Sequence, residues 1–488
     1  MEKKNIAKGI FINFFCFIIP SGIAFLVNRY FVKNMGISYL GLMQLFNQIL
    51  AYISIVEMGL GAASTYSLYR PLAERNYERL NVITSTIASL YNKIAGAIFI
   101  LGILAMPFIK FFIRDELENE KLYLYWVLYL ISTVITYLFS MYNVLFTANQ
   151  EYNFVKIVQA SIKILCQILK ITVIIKYKSF SIFILIMILE NILQGMIFRK
   201  HYLNKYSYIE KTKLRDKIIV KDLKNLFFHK IGGLIVFNTD LILISKFLSL
   251  EVVGVYASYQ IVISLIGNLT SIITGVLIPN VGRYVATNKN IFKLWKKIND
   301  VYFVIATIFS YCFYFLANDF IKLWLGDINL LPSLTVFLIS VNLFILLYRV
   351  PIEMFKEVSG FFDDTYSPIL ESFINLFLSL FLIMKMGLNG VIIGTIVSNL
   401  LIILILKPIL TFKRCFEKGV RDYLLIYGKN LGILCLGVYL ANGIQNLFMS
   451  SEIGNIYQWI LSGIKFSFLI GMIMMILILI TNREWRRK

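Results

Sequence analysis

Ionisable residues inside long apolar segments are the parts of this sequence that best suit chemistry. Lys156, Lys163 and Lys170 recur every seven residues within one such segment. This spacing drifts only about 20° per repeat on an α-helix, so the three lysines are expected on one face. Lys163 would lie roughly 15 Å along the helix, near mid-membrane, where a lipid-facing lysine costs about 2.5 kcal/mol or more. The pattern therefore predicts a stripe that lines a water-filled cavity and binds an anion.

Polar neighbours extend this stripe. Gln159 and Gln167 lie four residues on either side of Lys163 and are candidates to contact a polar substrate. Lys170 is closer to the outer surface, where snorkelling to the interface is the alternative. Arg29, toward the outer end of the first apolar segment, suits cavity lining and interface anchoring equally well.

Carboxylates at membrane depth predict a second function, ion coupling. Glu57 and Asp240 are the candidates to bind and release a proton or a sodium ion, because burial raises the pKa of a carboxyl group that no cation compensates. A fixed ion pair with a nearby cation is the equally open alternative. Arg349 joins the predicted cationic cavity, although it could instead pair with Glu353, four residues away on the same helix.

The remaining titratable groups favour structural roles. Lys93 and Glu190 each lie near mid-span, which suggests a pair between the third and sixth segments. The sequence contains no P-loop, no Ser/His/Asp set and no metal-type cysteine spacing. We therefore expect a protein that is not an enzyme and that uses no cofactor or metal.

Composition fixes the elements that must position these residues. The chain has 488 residues, is 59% hydrophobic and has a mean hydropathy of +0.76. Its apolar segments are long enough, at about 20 residues, to cross a bilayer as helices. They predict an all-α polytopic membrane protein with about fourteen helices, in two repeated six-helix lobes and a terminal pair. The expected divisions are a first lobe at 1–200, a basic linker at 201–222, a second lobe at 223–412, and a basic loop with the terminal pair at 413–488.

The net charge of +21 follows the same plan. Lysines and arginines concentrate in alternate loops, and this asymmetry predicts that those loops and both termini are cytoplasmic. The membrane thus explains the basic composition, and no nucleic acid partner is expected.

An internal repeat supports the two lobes. Gly254 and Arg283 fall 213 residues after Gly41 and Arg70, at corresponding places in similar hydropathy patterns. Repeats of this size are typical of transporters. The cations of the first lobe have no basic counterpart at this offset, which suggests that one lobe is specialised.

Two short motifs and the helix plan carry a family resemblance. The turn Gly36-Ile37-Ser38-Tyr39-Leu40-Gly41, the run Glu57-Met58-Gly59-Leu60-Gly61 and the six, six and two arrangement resemble the polysaccharide transport family. That family contains Wzx-type flippases and belongs to the multidrug/oligosaccharidyl-lipid/polysaccharide flippase superfamily. The resemblance implies two lobes that work by alternating access. It also implies an undecaprenyl-diphosphate-linked oligosaccharide as substrate, for capsule, O-antigen or exopolysaccharide synthesis, in a prokaryotic cytoplasmic membrane. The expected partners are this substrate, membrane lipids, and a polysaccharide polymerase with its assembly machinery.

Two other functions remain open. A multidrug cation/ion antiporter of the related family should present an acidic, aromatic cavity, and the embedded lysines and arginines argue against it. A membrane glycosyltransferase or polymerase is disfavoured because the predicted outer loops are too short to carry a catalytic domain.

Overall fold

The computed structural model describes residues 3–57, 60–115, 118–216, 239–287, 290–326, 328, 330–361, 364, 366–445 and 453–482. These residues form α-helices with short turns and contain no β-strand, which confirms the predicted fold class. The chain divides into two compact units, Met1–Gly254 and Val255–Lys488.

The first unit is a bundle of long helices with identifiable ends. Asn76 and Ser179 cap two of them, each accepting a hydrogen bond from a backbone N–H three residues on, and Gly36 separates the first two helices at a φ of 91°. Its described helices are α1 (Lys3–Met35), α2 (Ile37–Ile53), α3 (Leu60–Glu74), α4 (Tyr77–Ile109), α5 (Asn119–Ala148), α6 (Tyr152–Tyr177), α7 (Phe180–Lys205) and α8 (Asp240–Phe247).

The second unit has two interrupted helices. Arg349, followed by Pro351, separates α11 from α12, and a π-helical turn at Ile402–Leu406 separates α14 from α15. A cluster around Trp295, Phe355 and Phe412 packs α10 against α12 and α15. The helices from the boundary onward are α9 (Leu250–Thr287), α10 (Ile291–Leu325), α11 (Ser333–Tyr348), α12 (Val350–Val358), α13 (Tyr366–Met386), α14 (Leu388–Leu401), α15 (Lys407–Cys415), α16 (Val420–Gln445) and α17 (Ile456–Thr481).

Twelve helices among the described residues are long and apolar enough to cross a membrane. The second expected span is broken, because α2 ends at Ile53 and a 3-10 turn at Ser54–Glu57 precedes α3. The expected span at 223–247 lies mostly outside the described residues. The total of about fourteen therefore stays a prediction.

The repeat-related glycines make reciprocal backbone contacts within the first unit. A Cβ on Gly41 would lie 2.0 Å from the carbonyl oxygen of Leu250, and one on Gly254 would lie 2.2 Å from that of Ile37. Leu250 itself follows Ile37 at the same offset of 213 residues. The glycines are thus needed for close approach, and the contact has the symmetry that the repeat predicts.

Candidate functional site

Helix α6 places its three lysines in different surroundings. Lys163 is exposed near the middle of the helix, and no carboxylate among the described residues lies within ion-pairing distance of it. Lys156 is half-buried, with its ammonium 5.1 Å from the Tyr152 ring centroid. Lys170 is buried. The predicted stripe thus has one open cation at mid-helix.

Lys170 forms an ion pair with Glu190 of α7. The Nζ and Oε2 atoms are 2.7 Å apart, and the two side chains are 11% and 19% exposed. The expected pairing of Glu190 with Lys93 is therefore wrong. Because α6 and α7 are joined by a two-residue connection, they lie as antiparallel neighbours and bring Lys170 to Glu190. The charge of Lys170 is compensated by the protein.

The two glutamines of the stripe also differ. Gln167 is buried, and its Nε2 donates a hydrogen bond of 3.0 Å to the carbonyl oxygen of Pro20, inside α1. Gln159 is half-buried on α6. Gln167 therefore joins two helices of the scaffold.

The remaining predicted residues of the first unit lie apart from the stripe. Arg29 is exposed on α1. Glu57 ends the 3-10 turn, and the Tyr137 hydroxyl is within hydrogen-bonding reach of it. Asp240 is the first residue of α8, where the helix dipole favours a carboxylate, and it interacts electrostatically with Tyr52.

Arg349 belongs to a balanced cluster of charges in the second unit. Glu353 pairs with Lys407, with Oε1 and Nζ 2.9 Å apart, so the expected pairing of Glu353 with Arg349 is wrong. Glu371 is buried and interacts electrostatically with Lys407, Arg349 and Glu353. Two cations and two carboxylates thus meet where α11, α13 and α15 are interrupted or begin.

Sequence reasoning missed a polar cavity of about 450 Å³ in the first unit. Helices α4, α5 and α7 line it together with the linker segment, which we define as residues 206–216. Its described lining contains Lys93, Lys211 and Arg215 against one carboxylate, Glu210, with serine, threonine, asparagine and tyrosine side chains between them. A signal was present in the sequence, because Ser85, Ser89 and Lys93 recur every four residues along α4.

A hydrogen-bonded carboxylate fixes the start of the linker segment. Glu151 accepts hydrogen bonds from Tyr206, His201 (2.7 Å) and Asn149 (2.8 Å), and it pairs with Lys205 at 3.2 Å. Burial raises the pKa of Glu151, but the hydrogen bonds from Tyr206, Asn149, His201 and Lys205 outweigh it and lower the pKa to about 2. The carboxylate is therefore ionised throughout the physiological range and holds α7 to the loop before α6.

Comparisons with known proteins identify the fold. No family model matches the chain, and no curated protein matches its sequence. The structure of a lipid II flippase MurJ in an inward closed conformation is similar over 98% of this chain and 100% of that chain, with a TM-score of 0.72 and 14% identity. Two structures of multidrug resistance MATE family transporters are also similar at 14% and 15% identity. The inward-facing one covers 80% of this chain and 96% of its own with a TM-score of 0.66, and the outward-facing one covers 81% and 93% with a TM-score of 0.54. The chain therefore has a fold shared by transporters of the MOP superfamily.

Proposed function

We propose that this protein is a flippase that moves an undecaprenyl-diphosphate-linked oligosaccharide across a prokaryotic cytoplasmic membrane by alternating access. The product would serve capsule, O-antigen or exopolysaccharide synthesis, with a polymerase and its assembly machinery as downstream partners. The transporter fold supports the general activity, and the charges of the first unit support the substrate class.

The observation that carries the proposal is Lys163. It is exposed in the middle of an apolar helix, and the described residues offer it no carboxylate. An ammonium at that depth is costly when it faces lipid, and it is retained where water or an anion can reach it. A diphosphate carries concentrated negative charge that cannot cross hydrocarbon without replacement of its water.

The cations differ in what they offer to such a substrate. Lys163 provides a mobile point charge, and the exposed Arg29 provides a fork that can bind two phosphate oxygens at once. Gln159 remains a candidate for sugar contacts. Lys170, Gln167 and Arg349 have protein neighbours that compensate their charge or hydrogen bonds, so we propose for them a supporting role.

The embedded carboxylates disfavour an extruder of organic cations. Such a protein needs negative charge that its own cations do not compensate. Glu190 pairs with Lys170, Glu353 pairs with Lys407, and Glu371 interacts with Lys407 and Arg349. Glu57 and Asp240 are left as the proposed sites of coupling to a proton or sodium gradient.

A reconstituted assay tests the proposal. Proteoliposomes would carry a fluorescent undecaprenyl-diphosphate-linked sugar, and its movement between leaflets would be followed with a membrane-impermeant quencher. Lys163→Arg should retain measurable transport, whereas Lys163→Ala and Lys163→Glu should lose more than about tenfold, because a cation-to-anion change reverses the interaction with phosphate. Lys176→Glu, an exposed position at the end of the same helix, is the matched control.

Normal transport by Lys163→Glu would remove this residue from the substrate path. Coupling is examined in the same liposomes with an imposed gradient. If Glu57→Gln and Asp240→Asn both keep the wild-type dependence on the gradient, neither carboxylate couples transport to an ion.

A further inference from the structure

The linker segment (206–216) is attached to α4 through its backbone. The N–H groups of Glu210 and Thr212 donate to Asn81 Oδ1 and Ser85 Oγ at 2.9 and 3.0 Å. The N–H of Asp216 donates to Thr86 Oγ1 at 3.0 Å. Helix α4 thus offers side-chain acceptors to an irregular segment, and the polar cavity lies between the two.

The cavity extends from the segment into the membrane-spanning part of α4. Thr84 and Lys93, which both line it, are nine residues apart, or roughly 13 Å along the helix. Lys93 therefore lies at the deep end, while Lys211 and Arg215 lie on the segment. The lining is polar throughout this length, so a charged group could enter without passing through hydrocarbon.

The charge of the cavity is uncompensated. In the ranges that the structure describes, no carboxylate lies within ion-pairing distance of Lys93, Lys211 or Arg215, and Glu210 alone carries negative charge in the lining. One guanidinium nitrogen of Arg215 donates to the carbonyl oxygens of Thr212 and Leu214, which orients the group. Arg199 adds a further positive charge beside the lining residue Tyr142.

We propose that this cavity binds a phosphate-bearing head group and that the ligand holds the linker segment on α4. Lysine, arginine and hydroxyl donors converge from a helix and a loop, and phosphate oxygens can accept from several directions at once. The volume of about 450 Å³ suits a small ligand. The inference is independent of the proposed function, because Lys163 is not part of this cavity.

Two sources could supply the same chemistry, an anionic lipid or a soluble phosphate compound. The first arm of the test uses inorganic diphosphate with the full chain in detergent. The second uses nanodiscs of phosphatidylcholine with or without phosphatidylglycerol. The readout is hydrogen–deuterium exchange at the amides of Glu210, Thr212 and Asp216, which are the donors that attach the segment to α4.

Ligand binding should slow exchange at these amides by about tenfold at a ligand concentration roughly ten times its dissociation constant. Lys93→Gln should abolish this protection although Lys93 lies on α4, and Lys93→Arg should restore it. Lys213→Gln, an exposed position on the segment outside the cavity lining, should behave as wild type. Exchange in α6 and α7 checks that each variant is folded.

Protection by diphosphate in detergent would identify phosphate chemistry as sufficient, and protection confined to phosphatidylglycerol nanodiscs would identify a lipid head group. Either result supports the site. Absence of protection in both arms, protection that survives Lys93→Gln, or loss of protection in Lys213→Gln would overturn it.

Discussion

The two units treat membrane-embedded charge differently. In the second unit, Arg349, Glu353, Glu371 and Lys407 form a cluster in which cations and carboxylates balance. In the first unit, Lys170 and Glu190 form one ion pair, and Lys163 and Lys93 are left without a carboxylate among the described residues.

This difference separates scaffold from function. A buried charge with a partner can be explained by packing alone, whereas an unpaired cation at membrane depth needs water or an anion. Positive charge available to a substrate therefore belongs to the first unit. The sequence asymmetry at the 213-residue offset points the same way, because Lys163 corresponds to Leu376 and Lys93 to Ala306.

The largest expected effect comes from breaking the ion pair of the first unit. Glu190→Leu should lower the free energy of unfolding by about 3–5 kcal/mol, because it leaves the buried Lys170 ammonium without its partner. The double variant Lys170→Met/Glu190→Leu should recover most of this loss. Reversible unfolding in lipid bicelles measures both, and additive losses would show that the pair is not coupled.

The matching change in the second unit should cost less. After Lys407→Met, Glu353, whose side chain is 35% exposed, can rehydrate, and Glu371 keeps Arg349 nearby. We therefore expect less than about half of the loss caused by Glu190→Leu. An equal or larger loss would mean that the cluster acts as one unit through Lys407.

The glycine contact tests the symmetric part of the molecule. Gly41→Ala should destabilise the protein by about 2–3 kcal/mol, because its Cβ would lie 2.0 Å from the backbone oxygen of Leu250. Gly254→Ala should give a similar loss. Gly96→Ala, at a helical position with open space around it, is the control and should be neutral or slightly stabilising. Unequal losses at Gly41 and Gly254 would show that the repeat symmetry is not maintained in the energetics.

Glu151 gives a pH-dependent contribution outside the spans. Its pKa falls from 4.5 to about 2 on folding, so its stabilisation is complete above pH 4.5 and is lost as the pH falls toward 2. Glu151→Gln should therefore cost about 2 kcal/mol at pH 7 and progressively less at lower pH. Unfolding midpoints of wild type and variant at pH 7 and pH 3 measure the difference, and a gap that does not narrow would contradict the assignment.

Periodicity and composition were sufficient to predict the fold class, because long apolar helices leave a strong signal. The offset of 213 residues also pointed to Gly41 and Gly254, whose contact the structure shows. Partners of single charges were harder to predict. Lys93 and Lys170 both lie at suitable depths for Glu190, and the short connection between α6 and α7 was the information that decides between them.

The cavity could not be predicted because one wall is irregular. The linker segment has no periodicity that would place Lys211 and Arg215 beside α4, and its attachment depends on backbone donors meeting Asn81, Ser85 and Thr86. Helix α4 alone showed a polar face, with nothing to indicate what covers it.

The smallest expected effect is the most informative about Lys163. Replacement of Lys163 by methionine should leave the free energy of unfolding in bicelles within about 0.5 kcal/mol of wild type, because an ammonium in water loses little when it is removed. If the side chain faced lipid instead, methionine would relieve a cost of about 2.5 kcal/mol and the protein would become more stable by a similar amount. Lys176→Met, exposed at the end of α6, is the control and should be neutral in either case. A clear stabilisation by Lys163→Met would place this lysine against the bilayer and remove the main support for an anion-binding first unit.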